Sequence, residues 1–552
     1  MKKIILFFTL SLFYSITIHA QSAMVQKAGK TVFSLTTFNA DGTIRATSHG
    51  VFAGESCEGI SSFTPFIGAS SAVVIDAAGR KYDVEAIIGA NEIYDICRFR
   101  LSGGSLPIAV AQKQAKDKVF AISYSVKRPS ATPLTIKSAE KFMDKYFYYI
   151  FNEEITEELE GCPIVNADGE MIGLAQRANT NYDVHSTDGR YYSELVSSGL
   201  SLNNPVFKKT GIRPALPTDK NEARLMLMML DASADSMNVV GAVDDFNRLF
   251  PGEMDGYSAL SSYQLVHGNL DAASRTMEQA IRAVNAPEEA YAEYAKHIYS
   301  VAIYTPDSVV CPWTLDLAEE NISRAIALSP QPAYKHQLGQ IHFAKGDYQS
   351  AFGIFEDISQ NGMSTSDVFY EMAQCKSFLG ADNTEILTYL DKSVEACPKP
   401  LTQMSAPYYY TRGVTLDAMG EYKKAMQDYN MYDTLMLFRA TPEFYYTRYK
   451  CETKLRQYQQ ALNDIAHAVV LDPREVTYYA EMGSLQLRVG QYENALKTCD
   501  MSKYVTTDNN DIYIIEGVAN MQLGKKDEAR TAFLKARELG DERAEDYLNK
   551  LK

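Results

Sequence analysis

The stretch that decides the fold runs from residue 479 to residue 499 and reads YAEMGSLQLRVGQYENALKTC. It recurs 34 residues later, where residues 513 to 536 read YIIEGVANMQLGKKDEARTAFLKA. Each copy has a tyrosine, a glycine four positions later, a second glycine seven further on and an alanine five beyond that. A fixed period of this length predicts a stack of similar supersecondary units.

The period extends toward the N-terminus and is marked by the alanines that begin each second apolar stripe. These alanines are Ala425, Ala461, Ala495 and Ala529, at intervals of 36, 34 and 34 residues. Two apolar stripes in each period predict two antiparallel helices per unit, and alanine suits the point where the helices cross because a larger side chain would clash there.

The glycines in each unit have two different roles. Gly483 and Gly517 allow the two helices of a unit to approach closely, whereas Gly490 and Gly524 provide a permissive backbone in the turn after the first helix. The unit that contains Ala461 has Tyr449 and Arg456 at these two positions. This unit therefore departs from the pattern of the others at both glycine positions.

These repeats resemble the tetratricopeptide repeat family over roughly residues 222 to 552, in about eight units. The resemblance implies an all-α solenoid that binds a protein or peptide in a concave groove lined by the first helices, and it implies no chemistry. By repeat phase, the residues expected to face the groove are His336, Gln340, Phe343, Tyr410, Asp417, Tyr446, Lys450, Ala480, Ser484 and Arg488. Tyr410 and Tyr446 would provide aromatic contact area, and Lys450 and Arg488 would bind a carboxylate.

Residues 21 to about 215 have a different pattern. Short alternating or β-branched runs occur at residues 31–35, 72–75, 84–88 and 118–122, and turn dipeptides such as Asp41-Gly42 separate them. Many short strands with regular turns predict an all-β barrel or sandwich.

Three segments of this region resemble trypsin-like serine proteases of the bacterial HtrA kind. They are residues 48–52 (SHGVF), residues 79–96 from Gly-Arg-Lys-Tyr to Tyr-Asp-Ile, and residues 161–173 (GCPIVNADGEMIG). The resemblance implies a trypsin-like double barrel. It also implies where a catalytic triad of serine, histidine and acid would stand.

Two of the three implied triad positions have lost the required residue. Asp95 matches the acid, but residues 61–66 read SSFTPF, so that Thr64 or Pro65 stands in place of histidine, and Glu160 stands in place of serine. A hydroxyl group without a base to accept its proton is a poor nucleophile. The resemblance therefore implies a domain that has lost its catalytic residues.

Other charged residues point the same way. Glu158 and Glu160 bring negative charge to the place where an oxyanion would need stabilisation. Within residues 21–215, His49 falls in the first strand motif, and we expect His185 to lie in a polar loop, away from the position of a catalytic base.

The N-terminus has the pattern of a targeting signal. Lys2 and Lys3 precede a mostly apolar run from residue 4 to residue 18, which predicts a cleaved signal peptide over residues 1–20 and a protein exported to the periplasm or secreted. No later stretch is long and apolar enough to predict an integral membrane segment. The predicted domains are residues 21–215 for the β region, 216–250 for a linker with a helical cap or degenerate repeat, 251–540 for the repeats and 541–552 for a capping helix.

Composition limits the partners and cofactors. The chain has 552 residues and a formal net charge of −15, which argues against nucleic acid or an anionic lipid surface as the main partner. The eight cysteines show no metal-ligand spacing, so we expect buried apolar roles for them, at most one disulfide, and no metal or cofactor.

Three functions remain open from the sequence. The first is an exported adaptor in which the repeats bind a protein and the β region binds or regulates without catalysis. The second is an active hydrolase with a non-standard site, using Ser61, Ser62, Thr64 or Cys162 near Asp95 or Glu160. The third is a structural component of a cell-envelope assembly.

Overall fold

The computed structural model describes residues 23, 25–55, 57–116, 118–126, 129–177, 182–230, 236–306 and 311–551. Its contacts divide the chain into two compact units, Met1–Glu293 and Tyr294–Lys552. The predicted signal peptide lies outside the described residues. Among the helices described, none combines the length and the apolar composition needed to cross a membrane.

The first unit begins with an all-β region. Its strands are β1 (Val32–Phe38), β2 (Ile44–Phe52), β3 (Glu58–Ser61), β4 (Ser71–Asp76), β5 (Lys81–Asn91), β6 (Ile96–Leu101), β7 (Val119–Ile122), β8 (Ala131–Leu134), β9 (Ile136–Phe142), β10 (Tyr146–Glu154), β11 (Pro163–Val165), β12 (Met171–Leu174), β13 (Gln176–Arg177) and β14 (Asp183–Thr187). The four predicted runs fall in β1, β4, β5 and β7.

The first six strands close into a barrel in the order β1-β2-β3-β6-β5-β4. Successive side chains of a strand point to opposite faces, so the alternating runs bury every second residue. Phe33 and Leu35 of β1 meet Phe52 of β2 and Phe99 of β6 in the barrel core, where all four are fully buried.

The remaining strands repeat this order. The hydrogen bonds define two four-stranded sheets, β13-β14-β10-β9 and β12-β11-β7-β8. Only Thr135 separates β8 from β9, and an isolated bridge between Gly173 and Asp188 joins the β12 end of one sheet to the β14 end of the other. Likewise, only Ala175 separates β12 from β13. With β8 and β9 taken as one bent strand, and β12 and β13 as another, the order matches that of the first barrel. The predicted trypsin-like double barrel is confirmed.

One placement made from the sequence is wrong. His185 was expected in a polar loop, but it lies in β14, where it pairs with Ile150 of β10 and Gln176 of β13 and is 7% exposed. The physical reason is that the side chains of Val184 and His185 point to opposite faces of the strand, and Val184 packs in the barrel core. This short polar run therefore has the two-residue period of a strand.

A continuous series of helices follows the β region. They are α1 (Lys220–Met228), α2 (Ser236–Leu249), α3 (Asp255–Val266), α4 (Leu270–Ala283), α5 (Pro287–Tyr304), α6 (Leu315–Leu328), α7 (Pro332–Ala344), α8 (Tyr348–Gln360), α9 (Ser366–Phe378), α10 (Asn383–Glu395), α11 (Ala406–Ala418), α12 (Tyr422–Leu435), α13 (Pro442–Lys454), α14 (Tyr458–Leu471), α15 (Val476–Arg488), α16 (Tyr492–Val505), α17 (Asn510–Gln522), α18 (Lys526–Glu538) and α19 (Arg543–Lys550). The predicted all-α repeat region is confirmed.

The repeat residues have the packing that their types predict. Ala425, Ala461, Ala495 and Ala529 are all 0% exposed, as expected at helix crossings. Arg456 adopts φ +59° at the turn where the other units have glycine, so the turn forms with an ordinary side chain at some cost in strain.

Candidate functional site

The structure brings together two of the three residues at the implied triad positions. The Thr64 backbone N–H and its hydroxyl both donate to Asp95 Oδ1, at 2.7 Å and 2.9 Å. Asp95 lies in the turn between β5 and β6 with φ +43°. The carboxylate oxygen that would orient a histidine therefore accepts hydrogen bonds from Thr64.

The second barrel holds the turn that carries Asp95. Gln176, which is 4% exposed, donates from Nε2 to the carbonyl oxygens of Tyr94 and Asp95, both at 2.8 Å. The Thr187 hydroxyl lies 3.1 Å from the Tyr94 carbonyl oxygen. Buried side chains of β13 and β14 thus anchor this turn between the two barrels.

The Glu160 carboxylate contacts an arginine, and its backbone carbonyl oxygen contacts a histidine ring. Its carboxylate Oε2 lies 3.4 Å from Arg177 Nε and Nη2, and its carbonyl oxygen lies 3.1 Å from His49 Nδ1. A trypsin-like mechanism uses backbone N–H donors beside the nucleophile to bind the oxyanion. The Glu160 N–H donates instead to the Thr156 carbonyl oxygen at 3.2 Å.

Both histidine rings of the β region contact other groups. His49 stacks on Tyr124 with ring centroids 5.8 Å apart, and burial lowers the pKa of His49. His185 Nδ1 lies 3.1 Å from Tyr148 Oη, and burial lowers the pKa of His185 as well.

The alternative nucleophiles differ in how accessible they are. Ser61 and Ser62 are 0% and 2% exposed, and Ser61 donates to the His49 carbonyl oxygen at 2.6 Å. Cys162 is 0% exposed, and burial raises the pKa of its thiol to about 12, which disfavours the thiolate. Thr64 is the exposed one of these four candidates.

In the repeats, the predicted groove residues His336 and Gln340 converge on one carboxylate. His336 Nε2 lies 2.5 Å from Glu371 Oε2, and Gln340 Nε2 donates to Glu371 Oε1 at 2.8 Å. Glu371 belongs to α9, the first helix of the next unit, so these contacts join adjacent units.

The predicted aromatic groove residues pack mainly against other rings. The ring centroid of Phe343 lies 5.2 Å from that of Tyr348 and 5.5 Å from that of Phe378. The ring centroids of Tyr410 and Tyr432 are 5.0 Å apart. The ring of Tyr446 contacts those of Tyr449 and Tyr478, at 5.9 Å and 5.2 Å between centroids.

Four predicted groove residues line one pocket of about 350 Å³: Asp417, Lys450, Ser484 and Arg488. The same pocket is lined by five residues that the sequence reasoning missed, namely Tyr449, Thr453, Lys454, Glu481 and Leu485. The signal for some of them was helix geometry, because residues three and four apart share a face. Thr453 and Lys454 stand three and four positions after Lys450, and Glu481 stands three before Ser484.

Some charged groups of the pocket form an ion pair or hydrogen bonds with neighbouring side chains. Lys454 Nζ lies 3.5 Å from Asp417 Oδ1, an ion pair without hydrogen-bond geometry, since this oxygen is buried and has no hydrogen-bond partner among the described residues. Glu481 accepts from Tyr449 Oη at 3.0 Å and from Tyr446 Oη at 3.4 Å. Burial and the charge of Glu481 raise the pKa of Tyr449, so its phenol remains a donor.

The described residues contain no group of three or more His, Cys, Asp or Glu side chains arranged to hold a metal ion. Six of the eight cysteines are buried, as expected for small apolar positions.

One short part of the repeat region matches a family model. The tetratricopeptide repeat model matches residues 406–430, which include α11 and the start of α12. No curated protein matches the chain.

Among solved structures, the chain has distant similarities to a protease. The chain is 12% identical to the active form of the Rv3671c protease from M. tuberculosis, with a TM-score of 0.28, over 32% of this chain and 83% of that one. The inactive form of the same protease also gives 12% identity, with a TM-score of 0.26, over 32% of this chain and 92% of that one.

Proposed function

We propose that this protein is an exported adaptor that binds a protein or peptide through its repeats and does not cleave it. The observation that carries the proposal is the pocket formed by first helices of successive units. It gathers Asp417, Lys450, Ser484 and Arg488, residues chosen from repeat phase alone, with exposed polar groups above a buried floor that includes Leu485. Concave pockets with few convergent polar groups are typical of binding sites.

In this proposal the β region binds a peptide or orients the repeats, and it has no hydrolytic role. Its support is that the Thr64 hydroxyl donates to Asp95, that Glu160 stands at the position where the resemblance implies the nucleophile, and that the Glu160 N–H donates to the Thr156 carbonyl oxygen. A trypsin-like reaction needs all three of these groups in other roles.

The binding proposal is tested by site-specific crosslinking in cells that produce the full chain. A photoreactive benzoylphenylalanine replaces Ser484 in the pocket or, as the matched control, Lys497, which is exposed on α16 outside it. We expect an adduct of defined mass from position 484 and a different pattern from position 497. Identical patterns, or no adduct at position 484, would contradict the proposal.

One observation favours a hydrolase as the second candidate: the exposed Thr64 hydroxyl lies 2.9 Å from the Asp95 carboxylate. A fluorophosphonate probe and a casein substrate distinguish the two functions. We expect no labelling and no cleavage by the purified chain. Labelling that maps to Thr64 and is lost in Thr64→Ala would instead establish the hydrolase.

A further inference from the structure

The repeat pocket contains charges of both signs that lack an ionic partner. Among the described residues, no carboxylate lies within ion-pair distance of Lys450 or Arg488, although the chain as a whole has a net charge of −15. Lys450 Nζ lies 4.6 Å from the ring centroid of Tyr446, and both Lys450 and Arg488 are exposed. These two cations are therefore available to a ligand.

Glu481 is the complementary negative group. It has no cation within ion-pair distance among the residues described, and its two hydrogen bonds come from the neutral hydroxyls of Tyr446 and Tyr449. A carboxylate has about four lone-pair sites, so Glu481 can accept further hydrogen bonds. The two tyrosines hold it in place without neutralising it.

The helix geometry separates these charges along the pocket. Glu481 and Arg488 stand seven residues apart on α15, which is about 10 Å at 1.5 Å per residue. Ser484 lies between them on the same face, and Lys450 reaches the pocket from α13. A ligand that spans the pocket meets positive and negative groups in succession.

We propose that the pocket binds a mixed-charge peptide segment, with a carboxylate at Lys450 and Arg488 and a lysine or arginine side chain at Glu481. This inference rests on the proposed peptide-binding function and names its ligand class. The guanidinium of Arg488 can bind a carboxylate through two parallel hydrogen bonds. Glu481 disfavours a second carboxylate beside the first, because like charges in one site repel.

The carboxylate has two possible sources with the same chemistry, an acidic side chain within the segment or the terminal carboxylate of a chain. The full-length protein is used to select from random nine-residue segments displayed on phage, either within a loop or with a free C-terminus. We expect the selected segments to pair an acidic group with Lys or Arg at a recurring spacing. Enrichment only in the free-terminus library assigns the carboxylate to a chain end, and enrichment in both assigns it to side chains.

Synthetic peptides from the selection then measure the two contacts separately. We expect Arg488→Gln to weaken binding about ten-fold, with the loss absent when the peptide's acid is replaced by its amide. Glu481→Gln is expected to weaken binding about five-fold, with that loss absent when the peptide's lysine is replaced by glutamine. Arg474→Gln and Lys497→Gln, exposed positions outside the pocket, are the matched controls and should leave affinity unchanged.

The outcomes separate the inference from the function on which it rests. Binders with acidic groups alone, or binders whose affinity for Glu481→Gln is unchanged or higher, would overturn the mixed-charge assignment and leave peptide binding standing. Failure to select any segment above background would overturn both. Matching thermal unfolding of each variant and the wild type shows that a loss of affinity comes from the contact.

Discussion

Glu452 is a carboxyl group buried among charged groups that only partly compensate it. It is 4% exposed, and its Oε2 has no hydrogen-bond partner among the described residues. The nearby Arg448 is held by Asp464, at 2.6 Å and 3.0 Å, and by Asp433 at 2.9 Å. Burial and, to a smaller extent, Asp464 raise the pKa of Glu452 to about 8, although Arg448 opposes the shift.

The raised pKa of Glu452 predicts a specific pH dependence of stability. Between about pH 4.5 and about pH 8 the unfolded chain releases this proton while the folded chain keeps it, so the contribution of Glu452 to stability is largest below pH 4.5 and is lost as the pH rises. Glu452→Gln removes this dependence, and we expect its stability relative to the wild type to rise by on the order of 2–4 kcal/mol across this range. Thermal unfolding at pH 5, 6.5 and 8 measures it.

The control for this prediction is Glu395→Gln, an exposed position at the end of α10. We expect its difference from the wild type to be the same at all three pH values. A Glu452→Gln variant whose difference is equally flat would show that Glu452 is ionised in the folded chain.

At the scale of the elements, the units that have glycine at the helix crossing and in the turn use these two glycines for different purposes. A Cβ built on Gly517 would lie 2.3 Å from the Phe533 ring, and one built on Gly339 would lie 2.5 Å from the Phe355 ring. The helices of these units therefore approach too closely for any side chain at that position. The turn glycines, such as Gly524 at φ +77°, face open space and are required only for their backbone conformation.

The steric role of Gly517 is tested against a glycine that has none. Gly517→Ala should destabilise the chain by about 1–3 kcal/mol because the Phe533 ring must move. Gly353 lies within α8, and a Cβ there has no heavy atom within 4 Å, so Gly353→Ala should stabilise by about 0.5–1 kcal/mol through helix propensity. Urea denaturation followed by circular dichroism compares the two, and equal effects would contradict the packing explanation.

At the scale of the whole molecule, the first compact unit, Met1–Glu293, contains both the β barrels and helices. The segment after β14 returns to the first barrel, where Ile87 N–H donates to the Arg213 carbonyl oxygen at 2.9 Å and Ala215 N–H donates to the Ile87 carbonyl oxygen at 2.7 Å. Asp245 of α2 accepts from Arg100 of β6 at 2.5 Å and 2.7 Å, and from Arg213 at 2.7 Å. Helix α2 thus belongs to the same compact unit as the barrels.

The ion cluster around Asp245 predicts the cost of separating these parts. Burial works against its charge, but Arg213 and Arg100 hold the pKa of Asp245 below its usual value. Asp245→Ala leaves the half-buried Arg213 without an ionic partner among the described residues and leaves Arg100 with Glu85 alone, and we expect the free energy of unfolding to fall by about 3 kcal/mol. Hydrogen exchange of residues 236–249 in the full chain should accelerate accordingly.

The matched control is Arg248→Ala, since Arg248 lies 3.4 Å from Asp245 but its side chain is 57% exposed. Its effect should stay within about 0.5 kcal/mol, as for an exposed ion pair. Equal exchange rates for Asp245→Ala and the control would mean that the cluster does not hold α2 on the barrel.

The sequence predicted those site residues that follow from a local pattern and missed those that depend on long-range contacts. Repeat phase was enough to choose Asp417, Lys450, Ser484 and Arg488, because each unit places equivalent positions on equivalent faces. It did not find Glu481, whose importance comes from hydroxyls of Tyr446 and Tyr449 in the preceding unit. His185 was misplaced because a five-residue polar strand has too short a pattern to be distinguished from a loop.

The sequence by itself determined the repeats, their helix pairs and the β character of the region before them. These features are local, set by periods of 34, 3.6 and 2 residues and by residue identity. Only the tertiary structure showed that Thr64 donates hydrogen bonds to Asp95 and that the Glu160 N–H donates to the Thr156 carbonyl oxygen. It also placed Lys450 and Arg488 in one pocket with Glu481. Such contacts join residues that are distant in the chain, and no local period encodes them.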